Sequence, residues 1–82
     1  MTELREQIRQ VDRTLLAAMN ERIGLVARLK QYKDSRGIDF LDRAQEERVV
    51  ESLARENRGP LSPEGLRELY AAVLELTKRE VP

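Results

Sequence analysis

Residues 3–34 read ELREQIRQVDRTLLAAMNERIGLVARLKQYKD. Leu4, Ile8, Val11, Leu15, Leu16, Met19, Ile23, Val26 and Leu29 recur mostly at steps of three and four. That spacing stacks apolar side chains along one face of an α-helix, whereas a strand would alternate. No proline interrupts the run, so one helix of about 32 residues is expected, about 48 Å long at 1.5 Å per residue. Thr2 is a favoured residue type for its N-cap, and Gly37 lies where a helix stop is expected. Gly24 sits inside the run at a cost of about 1 kcal/mol relative to Ala. It is either a tolerated defect or a point where another helix comes close.

Working outward from this segment, the breakers fall in two places. They are Ser35-Arg36-Gly37 and the stretch from Gly59-Pro60 to Ser62-Pro63. A second helix is expected over about 42–56, with Leu41, Val49, Val50 and Leu53 apolar. A third is expected over 63–80, with Ser62 as N-cap and Pro63 in the first turn. Leu66, Leu69, Tyr70, Val73, Leu74 and Thr77 follow at helical spacing. The only hint of alternation is the short connector Ile38-Asp39-Phe40-Leu41. The reading is an all-α chain of three helices, forming one domain over 1–82.

Composition excludes several chemistries. The chain has 82 residues, no Cys, no His and no Trp, so it carries no disulfide framework, no zinc site of the usual ligands and no Cys–His or Ser–His nucleophile. No metal or cofactor is expected. Fifteen basic residues balance fifteen acidic ones, which argues against a nucleic-acid partner. No apolar run approaches the roughly 18 residues of a membrane span, and the polar start Met1-Thr2-Glu3 carries no signal core. A soluble, cytoplasmic chain is expected, with no membrane partner.

Length sets a geometric problem. A compact domain of this size has a radius of gyration near 12 Å, so a helix of about 48 Å projects beyond its own globule. Its apolar stripe runs the whole way and needs cover. The simplest cover is a second copy packed antiparallel in a two-fold homodimer. With three aromatics, Tyr32, Phe40 and Tyr70, the private core would be thin, and association is a common remedy.

Some charges lie on or beside the stripe. At 100° per residue, Arg22 and Lys33 fall within about 20° of each other, about 16 Å apart along the axis, in the sector of Leu15, Val26 and Leu29. Their stems can pack on the core while their heads reach water; alternatively they await an anion, since burying an unpaired charge is costly. Asp42 and Glu46 share a face at the start of the second helix. They serve the helix N-terminus electrostatically or accept from a ligand hydroxyl. Arg5 lies about 42 Å along the helix from Lys33, so the two cannot hold one small ligand from a single chain. In an antiparallel dimer Arg5 of one copy can approach Arg22 or Lys33 of the other. Such a cluster suits a small dicarboxylate.

These residues resemble the all-helical (type II) chorismate mutases, which form intertwined dimers. The resemblance spans nearly the whole chain. It is carried by Leu4-Arg5-Glu6-Gln7-Ile8-Arg9-Gln10-Val11-Asp12, Leu15-Leu16 with Asn20-Glu21-Arg22, then Lys33, Asp42, Glu46 and Gly59-Pro60-Leu61. It implies that Arg5 reaches into the partner's site to hold a substrate carboxylate and that Arg22 holds one within its own chain. It further implies that Lys33 contacts a carboxylate and the ether oxygen of the breaking bond. Asp42 and Glu46 would orient the ring, Glu46 accepting from its hydroxyl. Thr77 stands where the family often has a small polar residue near a carboxylate. Gln45 replaces the arginine usual before the Glu, and Val81 stands where a Gln or Glu usually bonds the ether oxygen.

The implied reaction is the intramolecular Claisen rearrangement of chorismate to prephenate, in phenylalanine and tyrosine biosynthesis, by a homodimer with shared sites. A pericyclic step needs no nucleophile or metal, which agrees with a chain lacking Cys and His. It needs a confined conformer and positive charge where the ether oxygen turns negative. The alternatives are an isochorismate pyruvate-lyase or aminodeoxychorismate mutase of the same fold, and a non-catalytic dimerisation domain that senses chorismate or prephenate.

Overall fold

In the computed structural model, which describes residues 1–81, the three segments are α-helices: α1 (Thr2–Ser35), α2 (Arg43–Glu56) and α3 (Pro63–Glu80). The described residues contain no strand, and 38–41 is an irregular connector.

Helix ends follow local chemistry with one exception. Met1, not Thr2, is the N-cap of α1, and no side chain caps it. The Arg5 N–H donates to the Met1 carbonyl at 3.1 Å, so helical bonding begins one residue earlier than side-chain type suggests. At the far end the Ile38 N–H donates to the Lys33 carbonyl at 2.9 Å and the Gly37 N–H to that of Asp34 at 3.2 Å. This pair of bonds is a Schellman stop, and Gly37 supplies the left-handed φ of 69° that it requires. Asp42 caps α2, its Oδ1 accepting from the Gln45 N–H at 3.1 Å. Ser62 caps α3, its Oγ accepting from the Gly65 N–H at 2.9 Å, with Pro63 in the first turn.

α3 packs against both other helices, while α1 and α2 make no close backbone approach to each other. Burial is sparse. Among the described residues only Leu66, Thr77 and Val81 are buried, all on α3 or at its C-cap. Leu4, Ile8, Val11, Leu15 and Leu16 are each about 60% exposed. Gly24 has open space where a Cβ would project.

The molecule measures 53 × 23 × 18 Å with a radius of gyration of 15.4 Å, against roughly 12 Å for a compact chain of this length. Its accessible surface is 6956 Å², about 1,900 Å² more than the roughly 5,000 Å² of a folded monomer of 9.5 kDa. The long dimension is α1, whose N-terminal half carries its apolar stripe without cover from its own chain.

Candidate functional site

The last turns of α3 meet the middle of α1 at one buried hydroxyl. Thr77 is 5% exposed. Its Oγ1 donates to the Val73 carbonyl at 2.7 Å, as helical Thr residues commonly do, and accepts from an Arg22 guanidinium N–H at 2.7 Å. Arg22 is thereby held half-buried, with most of its five donors unused by this bond.

Beside this contact lies a pocket of about 120 Å³. α1 contributes Arg22, Val26, Leu29 and Lys33; the connector and the start of α2 contribute Phe40, Leu41, Asp42, Gln45 and Glu46; α3 contributes Leu74, Thr77 and Lys78. Thus Arg22, Lys33, Asp42, Gln45, Glu46 and Thr77, drawn from three separated stretches of sequence, line one concavity. The volume is below the roughly 300–1,000 Å³ of most small-molecule sites. A larger, more open hollow of about 590 Å³ adjoins it, sharing Arg22 and Gln45 and adding Arg48, Arg55 and Tyr70.

The charges in the pocket are unevenly satisfied. Both acids are engaged: Asp42 caps α2 and lies 4.0 Å from Arg48, and Glu46 Oε2 is 3.2 Å from Lys78 Nζ. Gln45 Oε1 accepts two N–H bonds from Arg48, at 3.1 and 2.9 Å. The two α1 cations differ. Neither Arg22 nor Lys33 has a carboxylate within ion-pair distance among the described residues, although both are half-buried. Half-buried cations without a counter-ion among the described residues, beside an apolar wall, have the chemistry to accept an anion.

Arg5 is not brought to this pocket. It is exposed in the first turn of α1, about 25 Å along the helix from Arg22. Nearby Arg9 and Arg13 both reach Glu6, at 3.5 and 3.6 Å, whereas Arg5 has no carboxylate partner among the described residues. Val81 does not line the pocket: its side chain is 8% exposed in the small core, and its N–H donates to the Thr77 carbonyl.

Two lining residues carry no sequence signal of their own. Phe40 belongs to an irregular connector with no periodicity to place it. Lys78 is one of two consecutive basic residues in the last turn of α3, where cations are ordinary, and only the packing of α2 on α3 sets it against Glu46. No group of three or more His, Cys, Asp or Glu side chains that could hold a metal ion is present among the described residues, and no described helix is long and apolar enough to cross a membrane.

Compared with known proteins, residues 4–80 match the family model described as chorismate mutase type II. Neither the curated proteins nor the solved structures yield a match.

Proposed function

We propose that this chain, which belongs to the chorismate mutase type II family, converts chorismate to prephenate by an intramolecular Claisen rearrangement. It does so as a cytoplasmic homodimer whose protomers, each one domain over residues 1–82, share their active sites, and the product feeds phenylalanine and tyrosine biosynthesis. One observation carries the reading: Arg22 and Lys33 line the same pocket, half-buried and without a carboxylate partner among the described residues. A doubly anionic guest completes them.

The roles follow from the chemistry of each group. Arg22, steadied by Thr77, binds one carboxylate through its planar fork. Lys33 places its ammonium at the other carboxylate and at the ether oxygen, which gains negative charge as the C–O bond breaks. Glu46 accepts from the ring hydroxyl, and Asp42 orients the ring from the helix start. The apolar wall of Val26, Leu29, Leu41 and Leu74 holds the extended substrate in its compact conformer and excludes water, which strengthens each charge. The partner subunit's Arg5 supplies a further guanidinium. The uncovered α1 stripe and the surface excess of about 1,900 Å² support that arrangement, since obligate dimers bury roughly 2,000–5,000 Å² in total.

Absorbance of chorismate on mixing with the purified chain tests the reading. Loss of chorismate faster than in buffer, with prephenate as product, is expected; an unchanged rate rejects it. Turnover of isochorismate or aminodeoxychorismate in preference to chorismate redirects it to a relative of the same fold. Gln45 and the buried Val81 favour one second reading, a binding and dimerisation domain without turnover. That reading requires tight binding of a bicyclic dicarboxylate transition-state mimic with no prephenate formed.

A further inference from the structure

Glu46 poses an electrostatic problem. Its carboxylate lines a pocket whose cations are arranged for a doubly negative guest, and its side chain is only 24% exposed. A bare carboxylate there repels the ligand that the rest of the pocket attracts. α3 answers with Lys78, which lines the same pocket and sets its Nζ 3.2 Å from Glu46 Oε2. Lys78 is 38% exposed, and ion pairs this open to solvent add little to folding stability. The pair therefore matters more for the pocket than for the fold. Its position matters as well: Lys78 directly follows Thr77, the residue that steadies Arg22, and it is the cation that α3 brings to a wall where Gln45 is neutral.

We propose that Lys78 is a positioning residue of this site, holding the Glu46 carboxylate in the pocket wall and cancelling the negative charge that Glu46 turns toward a dianionic ligand. The inference rests on the function proposed above. It predicts that Lys78 acts through Glu46, so its importance vanishes once that carboxylate is gone.

A double-mutant cycle with the bicyclic dicarboxylate mimic, read by calorimetry, isolates this coupling. Lys78→Met and Lys78→Gln are each expected to weaken binding about tenfold or more, as loss of a charged interaction does. KM for chorismate should rise more than kcat falls, and Lys78→Arg should restore most of the loss. In a Glu46→Gln background the same Lys78 substitutions should change binding less than about twofold. Thermal midpoints of the Lys78 variants should stay within about 2 °C of the parent, as expected for an exposed pair. If the parent chain neither turns over chorismate nor binds the mimic, the functional reading falls and this inference with it. If the parent does both while both Lys78 variants bind unchanged, the inference alone is overturned. An equal loss in the Glu46→Gln background also overturns it, because Lys78 then acts on the ligand directly.

Discussion

Thr77 is the residue on which the geometry of the pocket turns, because its single oxygen serves two bonds at once. Thr77→Val keeps the shape, removes the acceptor for Arg22 and leaves that guanidinium less restrained. Mimic affinity should fall about tenfold, and stability by about 1–2 kcal/mol, the cost of an unmet part-buried hydrogen bond. Isothermal titration and thermal melts check the two effects separately. Arg22→Ala goes further and should lower kcat/KM by about a hundredfold or more, since a charge-assisted, bidentate contact to a carboxylate is lost. Steady-state rates with chorismate measure it. At this scale the sequence was informative where one helix suffices: a shared azimuth on α1 is enough to bring Arg22 and Lys33 to one face. Spacing alone was silent where two helices must meet, and there the family resemblance was the guide to Asp42, Glu46 and Thr77. The Lys78–Glu46 and Arg48–Gln45 contacts illustrate the difference. Arg48 lies one turn from Gln45 and is local, yet Lys78 lies 32 positions beyond Glu46 and meets it only through the docking of α3 on α2.

Helices owe their limits to short-range chemistry, which is why all three were legible to within about one residue. Ser62 and Asp42 cap as their residue types suggest, and Gly37 closes α1. The miss at Thr2 has the same origin in reverse, because a cap assigned by side-chain type yields to a Met1 carbonyl already bonded to Arg5. Two substitutions test these ends. Ser62→Ala should destabilise the chain by about 1 kcal/mol, the usual worth of an N-cap hydroxyl. Gly37→Ala should cost about 1–2 kcal/mol, because an alanine at φ 69° sets its Cβ against the following carbonyl. Both are read as shifts in urea midpoint at constant slope. Asp42 caps α2 as its position at the helix start suggests, and the same residue lines the pocket.

For the whole molecule, the distance between Arg5 and Lys33 decides how a complete site can arise. On the dimer reading each site combines Arg22 of one chain with the partner subunit's Arg5. An Arg5→Ala chain and an Arg22→Ala chain, each nearly inactive alone, should therefore complement when unfolded together and refolded. Random pairing restores one intact site in each mixed dimer, so about a quarter of the parent activity is expected. A mixture no better than its components would show that Arg5 does not act across chains. The burial pattern bears on a different matter. Among the described residues only Leu66, Thr77 and Val81 are hidden from water, a small core to set against the conformational entropy of folding. If a second copy covers the leucines of α1, as the proposed homodimer requires, that copy is thermodynamically part of the fold, and dilution, no less than heat, is expected to act as a denaturant.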